Sequence, residues 1–250
     1  MGNGYTIDGG WRIYSEITIK LTSQQENTTI TIMQKVIIIG AGGHSAEIDD
    51  YFQYAKKKNP DFGMQIQGFI DDNPQSYQQY DFTAPFYGDI KSHDIRPDYF
   101  YIMGIANLKY RRPVIEQLLA KGASFTNFIH PDAYISASSS IGNGVVIAPG
   151  VNIGPKVVIG DFTLINSRSS MGHDTKVGRY NFICPNVCFS GFTNVGDENL
   201  FGINSATIPG TKIGNRNKIT AGMVLDKNVG DDEVVFYRFK EKVMAIPKII

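Results

Sequence analysis

The 250-residue sequence predicts an α/β domain followed by a parallel β-helix. Two observations carry this prediction. Glycine-ended apolar runs alternate with helical patterns up to about residue 127, and beyond it an apolar residue recurs every six positions. A period of six fits neither an α-helix nor an antiparallel strand, and it is typical of hexapeptide β-helices. We therefore expect two domains of different architecture, at residues 33–127 and 128–230.

The hexapeptide repeat runs from residue 129 to residue 225 without an insertion. Sixteen of its seventeen frame positions, the positions that recur every six residues, are apolar, and Thr207 is the exception. Three hexads close a coil of 18 residues, and strands of successive coils pair about 4.8 Å apart. Seventeen hexads predict between five and six coils. Glycine often follows the frame residue, as at Gly154 and Gly214, and we expect it to relieve the corner.

The α/β domain is predicted from strand and helix patterns. Residues 35–40 form an apolar run ending in Gly40, as buried parallel strands do. Residues 65–72 and 99–104 read as further strands, and residues 107–121 read as a helix. Strand, glycine turn, helix and strand make a βαβ unit, so we expect a Rossmann-like fold.

Both termini lie outside these patterns. Residues 11–21 and 28–32 alternate like the strands of a hairpin, and Met33 begins what resembles a protein start. We therefore predict that residues 1–32 are a dispensable N-terminal extension. Residues 231–250 leave the six-residue frame and are predicted to form a separate C-terminal tail.

Composition excludes several classes of function. The 24 basic and 24 acidic residues balance, which argues against a nucleic-acid footprint or a polybasic membrane surface. No apolar run approaches the roughly 18 residues of a spanning helix, and no secretory signal pattern is present. Cys184 and Cys188, with few histidines nearby, do not make a zinc set. We expect a cytoplasmic protein with no metal and no membrane span.

The turn from Gly40 to Ser45 is a candidate ligand site because it follows a strand and opens a helix. Bare N–H groups at a helix N-terminus suit a phosphate. Ser45 replaces the third glycine of the dinucleotide fingerprint. A nucleotide or phosphate site, a nicotinamide site and a structural turn all remain open. Asp71 and Asp72 end the second strand, where a carboxylate accepts from ribose or base or lies in a solvated turn. Gly104 ends a later strand at the same edge.

His173 is the candidate general base. It occupies the third position of its hexad, at an outward-facing corner, and Asp174 follows it directly. An imidazole there suits proton transfer near neutral pH, and the carboxylate fixes its tautomer. His93, by contrast, lies in a polar loop and is predicted to be a surface residue.

The coil length places other residues near His173. Gly191 lies 18 residues later, so its N–H is expected within reach of an oxyanion formed beside His173. Ile203 and Ala221 are also 18 apart and stack at a neighbouring corner. We expect these columns to hold an extended ligand along the prism, with a neighbouring subunit forming the other wall.

The sequence resembles the bacterial nucleotide-sugar acyltransferases of the left-handed β-helix class, the bacillosamine-pathway and sialic acid O-acetyltransferase-like family. The resemblance covers about residues 34–230. Residues 39–44, 69–72, 172–174 and 201–205, the strand end at Gly104 and the hexads carry it. It implies a homotrimer that transfers an acetyl group from acetyl-CoA to an amino or hydroxyl group of a nucleotide-sugar held by the first domain.

The resemblance also implies a role for each candidate residue. The nucleotide-sugar would contact Gly42, Gly43, His44, Asp71, Asp72 and Gly104. His173 would be the general base, Asp174 its acidic partner and Gly191 the oxyanion donor. Acetyl-CoA would contact Phe182, Ile203 and Ala221. The chain departs from the family at Phe182, where a polar residue can stand, and at residues 236–239, which replace a Gly-Val-Pro-Ala-like turn.

The predicted function is therefore acetyl-CoA-dependent N-acetylation of a nucleotide-linked amino (dideoxy) sugar for surface glycan biosynthesis. The sugar amine would attack the thioester directly while His173 removes the proton. Two alternatives remain: an O-acetyltransferase of the sialic acid type, and a non-catalytic trimeric nucleotide-sugar-binding protein. The adjacent His173 and Asp174 argue against the second, and the missing third glycine argues against a dehydrogenase.

Overall fold

The computed structural model describes residues 16–18, 29–31 and 33–237. It contains a parallel α/β domain followed by a three-faced prism of short parallel strands, so the predicted fold class is confirmed. Strands β1 (Glu16–Thr18) and β2 (Thr29–Thr31) pair antiparallel. The rest of the predicted extension, and the end of the tail from residue 238, lie outside the described residues.

The α/β domain is a four-stranded parallel sheet in the order β4-β3-β5-β6. Its elements are β3 (Gln34–Ile39), α1 (Gly43–Lys58), β4 (Met64–Ile70), α2 (Pro74–Tyr77), β5 (Tyr99–Met103), α3 (Leu108–Ala120) and β6 (Ser124–Phe125). The inner strand β3 pairs with β4 on one side and β5 on the other. Parallel strands end at one edge, so the residues that follow these three strands are brought together there.

The prism has three faces of stacked strands. Face 1 is β7 (Phe128–Ile129), β10 (Val146–Ile147), β13 (Leu164–Ile165), β16 (Phe182–Ile183), β19 (Leu200–Phe201), β22 (Lys218–Ile219) and β24 (Val234–Val235). Face 2 is β8 (Tyr134–Ile135), β11 (Asn152–Ile153), β14 (Ser170–Met171), β17 (Cys188–Phe189), β20 (Ala206–Thr207) and β23 (Val224–Leu225). Face 3 is β9 (Ser140–Ile141), β12 (Val158–Ile159), β15 (Lys176–Val177), β18 (Asn194–Val195) and β21 (Lys212–Ile213).

The frame residues fill the prism interior, as predicted. Ile147 pairs with Ile165, one coil away, and Ile165 pairs with Ile183. All three are fully buried in one apolar cluster. Higher in the prism, the rings of Phe189 and Phe201 meet edge to face at 4.7 Å. This continuous apolar column holds successive coils together.

The glycine after the frame residue has a different role from the one predicted. Gly172 does not adopt a positive φ, and a Cβ there would lie 2.6 Å from Gly191 N on the next coil. The close approach of adjacent coils therefore requires glycine. The left-handed backbone comes two residues later, at Asp174 (φ 59°) and Phe192 (φ 61°). At most corners this left-handed residue carries a side chain, and at Gly144, Gly150, Gly210 and Gly222 it is glycine.

The prism extends past its predicted end at residue 230. Strand β24 pairs with β22 on face 1, and Val229 bridges to Ile213 on face 3. Arg216 and Asp232, which bond across this last coil, are 16 residues apart, whereas the earlier coils repeat at 18. The final coil is thus two residues short, which explains why the six-residue frame misses it.

The α/β domain docks on the outer side of face 1. The first four strands of face 1 bury their outward side chains against α1. These side chains are Phe128, Val146, Leu164 and Phe182. The Phe128 ring stacks on Phe52, late in α1, at 4.8 Å. These strands are apolar on both sides because each side is covered. Above them, Leu200 is half-buried and Lys218 is exposed, so the upper part of face 1 is open.

Deleting residues 1–32 is expected to leave the melting temperature and catalytic rate nearly unchanged. The two described strands of this segment pair with each other and with no other described strand. A lone two-stranded hairpin is marginal in water. Differential scanning calorimetry and a rate assay of the shortened and full-length chains test this, and a clear drop in either quantity would show that the segment is not dispensable.

The prediction that His93 is a surface residue is wrong. His93 is only 7% exposed, and its Nε2 lies 2.9 Å from the Tyr101 hydroxyl. The Arg96 N–H donates to the same hydroxyl at 3.2 Å. Burial lowers the pKa of His93, and Arg96 and Lys121 lower that pKa further. The neutral ring is therefore the form that the fold accepts.

His130, at the join between the domains, is also buried. Its Nδ1 accepts the Asp132 N–H at 3.1 Å, and the rings of Tyr51 and Tyr54 pack on it at 5.4 and 5.0 Å. Burial is the main cause that lowers the pKa of His130. An accepting Nδ1 fixes the neutral tautomer here as well.

We expect the protein to lose stability as the pH falls from 7.5 to 5.5. In the unfolded chain both histidines have the ordinary pKa of about 6.5. In the folded chain the pKa of each is lower, so the unfolded state binds more protons as the pH drops through and below 6.5. The melting temperature should fall in this window. The slope should flatten in the His93→Gln, His130→Gln double variant, and an unchanged slope would contradict the assignment.

Candidate active site

Three strand ends build one edge of the α/β domain. Gly40 donates its N–H to Ile70 O at 2.7 Å, and Gly104 donates to Ile39 O at 2.8 Å. Ser45 Oγ donates to Gly104 O at 3.3 Å. Gly40 has φ 97°, a region that favours glycine, and a side chain at Gly104 would collide with Ser45 Oγ. The turn and the two neighbouring strand ends therefore form one close-packed unit.

The first turn of α1 is open to a ligand. No side chain caps its N-terminus and no acidic residue lies in its first turn. A Cβ on Gly42 would meet nothing within 4 Å, and Gly43 is exposed. These features suit an anion, because free N–H groups and the helix dipole attract negative charge.

His44 lies at the contact between this turn and the prism. Its side chain is 8% exposed, and Nδ1 lies 3.0 Å from Glu47 Oε2. Its Nε2 is buried without a hydrogen-bond partner among the described residues. The ring meets that of Phe182 edge-on at 6.2 Å. A buried nitrogen without a partner is costly, and a bound ligand group would satisfy it.

Asp71 and Asp72 both organise the backbone of this edge. Asp71 Oδ2 accepts the Ala41 N–H, and Oδ1 accepts the Asn73 N–H, each at 2.7 Å. Asp72 Oδ1 accepts the Ile90 N–H at 3.0 Å. The two carboxylates thus hold the surrounding loops, and contacts from them to ribose or base stay a prediction.

His173 projects from the corner between faces 2 and 3. Its Nδ1 donates to Asp174 Oδ2 at 2.9 Å, and the side chain is 58% exposed. The Phe192 ring stands perpendicular to the imidazole at 5.0 Å. The carboxylate holds the Nδ1–H tautomer, so Nε2 keeps its lone pair. This nitrogen is able to accept a proton from a substrate.

Gly191 lies directly against the imidazole. A Cβ on Gly191 would be 2.8 Å from His173 Nε2 and 2.8 Å from Cε1. Its N–H has no acceptor within residues 33–237, whereas the next residue, Phe192, donates to His173 O. A free backbone donor beside a free imidazole nitrogen is the arrangement that an oxyanion and a general base require.

The three residues predicted to contact acetyl-CoA do not share one location. Ile203 and Ala221 are exposed at the corner between faces 1 and 2, where Gly222 donates to Ile203 O. Phe182 instead lies on the outer side of face 1, buried between His44 and Arg111. Its position fits a contact between the domains, and a contact with acetyl-CoA stays a prediction.

Face 2 separates the two corners. Its outward side chains include Ser170, Cys188 and Ala206, one on each of three successive coils. Small side chains leave space for an extended chain to lie along the face. That the pantetheine arm of acetyl-CoA lies along this face, from Ile203 to His173, stays a prediction.

Two features of the site were missed at the sequence level. Apolar residues recur every 18 positions just before the frame residue, as at Phe128 and Phe182, and this spacing indicates a covered outer face. Arg111 lies three residues after Leu108 and four before Ile115, both on the apolar side of α3. That spacing predicts a buried position, which its charge conceals.

Comparison with known proteins supports the same assignment. The PglD N-terminal domain matches residues 35–118. GDP-perosamine N-acetyltransferase of Escherichia coli O157:H7 is 30% identical over 103 residues, covering 41% of this chain and 47% of that protein. UDP-N-acetylbacillosamine N-acetyltransferase of Bacillus subtilis is 26% identical over 117 residues, covering 46% and 51%. The chain spans about half the length of these curated relatives.

Solved structures extend the likeness to both domains. The acetyltransferase domain of PglB from Neisseria gonorrhoeae, in complex with acetyl coenzyme A, matches with a TM-score of 0.70 and 26% identity, over 81% of this chain and 95% of that one. PerB from Caulobacter crescentus, in complex with CoA and GDP-perosamine, matches with a TM-score of 0.69 and 25% identity, over 80% and 92%. The resemblance to hexapeptide-repeat nucleotide-sugar acetyltransferases is confirmed.

Two further observations concern the described residues alone. Within residues 33–237, no helix is both long and apolar enough to cross a bilayer. In the same range, no three His, Cys, Asp or Glu side chains converge as metal ligands would.

Proposed function

We propose that the protein transfers an acetyl group from acetyl-CoA to the amino group of a nucleotide-linked amino (dideoxy) sugar, as a step in surface glycan biosynthesis. The observation that carries this proposal is the exposed His173 beside the free Gly191 N–H, with Nδ1 held by Asp174. The α/β domain presents a glycine turn suited to the phosphates of the acceptor. The N-acetyltransferase names of both curated relatives support the choice of an amine over a hydroxyl acceptor.

In this mechanism the sugar amine attacks the thioester carbonyl while His173 Nε2 takes the proton. Asp174 stabilises the imidazolium that forms, because its carboxylate already accepts the Nδ1–H. The Gly191 N–H donates to the carbonyl oxygen as negative charge develops on it. The bond to sulfur then breaks, the leaving sulfur takes the proton back from the imidazolium, and CoA departs as a thiol with His173 neutral again. Neither a metal nor a covalent enzyme intermediate is needed.

The active form that we propose is a homotrimer. Within one chain the glycine turn lies over face 1, where His44 contacts Phe182, whereas His173 stands at the corner between faces 2 and 3. Face 2 lies between them. One chain therefore does not bring its own nucleotide site to its own imidazole, and a neighbouring copy completes the site.

The direct test uses acetyl-CoA with a panel of UDP-, GDP- and dTDP-linked amino sugars. Release of free thiol and an acetyl mass gain on one sugar are expected. Matched nucleotide-sugars with a hydroxyl in place of the amine serve as controls and separate N- from O-acetylation. Absence of acetyl-CoA binding, together with no thiol release from any acceptor, would favour a non-catalytic nucleotide-sugar-binding protein.

A further inference from the structure

Arg111, on α3, is the largest of the fully buried side chains. No carboxylate within residues 33–237 pairs with it, whereas its exposed neighbour Arg112 pairs with two. Burial lowers the pKa of Arg111 to about 10, so the guanidinium remains charged near neutral pH. A buried charge with no counter-charge is costly, and its presence in this domain needs a physical reason.

The guanidinium ties the two domains together. Its Nη1 donates to Ile105 O at 2.7 Å, in the loop directly after Gly104. Its Nη2 donates to Phe162 O at 3.0 Å, at the corner of the prism between faces 3 and 1. The remaining nitrogen, Nε, is buried without a partner among the described residues. The Arg111 guanidinium thus fixes the loop after Gly104 against the prism, and its Nε–H stays without a partner among the described residues.

Two side chains near the guanidinium, Ile105 and Phe182, also lie next to the turn that opens α1. Ile105 packs on Gly40, where an added Cβ would lie 2.8 Å from Ile105 Cγ1. Phe182 has its ring centre 6.0 Å from the guanidinium carbon of Arg111 and 6.2 Å from the His44 ring. The charge therefore lies one residue layer behind the turn, inside a packed interface where water does not screen it.

We propose that Arg111 is a positioning residue whose buried positive charge draws the diphosphate of the nucleotide-sugar onto the turn from Gly40 to His44. This rests on the proposed function and adds a residue to it. The ligand anion supplies the counter-charge that the free protein lacks. Arg111 acts through the Ile105 and Phe182 layer, alongside the N–H groups of α1, and does not touch the ligand.

The test compares Arg111→Gln with Arg111→Lys by isothermal titration with UDP, GDP and dTDP and with the three matching monophosphates. Loss of the charge should weaken diphosphate binding on the order of ten-fold, and monophosphate binding by less, because the effect scales with ligand charge. Arg111→Lys should restore most of the diphosphate affinity. In the acetyl-transfer assay, the KM for the nucleotide-sugar should rise in Arg111→Gln, while kcat and the KM for acetyl-CoA stay unchanged.

Arg112→Met is the matched control, because it removes the same charge from the same helix at an exposed position. Arg112 pairs with Glu116 and Glu198 on the surface, at 2.7 and 2.6 Å. Its loss should leave nucleotide affinity within about two-fold, since exposed pairs contribute little. If Arg111→Gln does not fold, Arg111→Met takes its place, and circular dichroism and melting curves check each variant.

The outcomes separate the two proposals. Unchanged diphosphate affinity in Arg111→Gln, or equal losses for mono- and diphosphates, would reduce Arg111 to a structural tie and leave the proposed function standing. If the unaltered protein binds none of these six nucleotides, the nucleotide-sugar assignment fails and the role of Arg111 fails with it.

Discussion

Replacing His173 with alanine is expected to lower the rate of acetyl transfer by roughly 10²–10⁴-fold, the usual effect of losing a general base. The side chain is exposed and makes one hydrogen bond within residues 33–237, to Asp174, so its removal should not disturb the fold. The measurement is kcat by thiol release, beside a melting curve and the oligomer mass.

A graded series sharpens this prediction. Asp174→Asn keeps a hydrogen-bonding group next to Nδ1 but removes the charge that stabilises the imidazolium, so its loss in kcat should be smaller than that of His173→Ala. A His173→Ala variant with near wild-type turnover would remove the imidazole from the mechanism.

Replacing Phe201 with alanine is expected to lower the free energy of unfolding by about 3–5 kcal/mol, the range for a buried phenylalanine. Its side chain is 1% exposed inside the prism and packs edge-on against Phe189. The coils above and below are fixed by strand pairing, so they are unable to collapse into the void. Denaturant titration of the two proteins measures the difference.

Phe236→Ala is the matched control for the core variant, because the same atoms are removed from a side chain that is 63% exposed. Its effect should stay within about 0.5 kcal/mol. Equal losses in both variants would contradict the conclusion that Phe201 stabilises the fold by packing in the apolar interior of the prism.

The prism was predictable because the same burial and pairing requirements recur in every coil. An apolar residue is needed at every sixth position, so the spacing alone predicts that Ile147, Ile165 and Ile183 lie inside the prism. The 18-residue length of a coil likewise predicts that Gly191 lies next to His173. The frame failed at the last coil, where a two-residue shortening shifts the register while β24 still pairs.

The α/β domain was predicted only in outline because its details depend on tertiary contacts. His93 has a polar local sequence, yet it is buried and its ring contacts the Tyr101 hydroxyl through a hydrogen bond. The loop bonds of Asp71 and Asp72 join backbone groups that local patterns do not connect. The burial of Phe182 follows from domain docking, which a hexad pattern does not encode.

The most direct test of the shared active site is complementation between two inactive variants. His173→Ala lacks the base, and Gly42→Asp places a negative charge on the anion turn, where it repels phosphate and where an added Cβ would meet nothing within 4 Å. If neighbouring chains share each site, co-expressing the two should restore acetyl transfer in mixed oligomers, since some sites then combine an intact turn with an intact imidazole. Mixed oligomers that form but remain inactive would contradict the account.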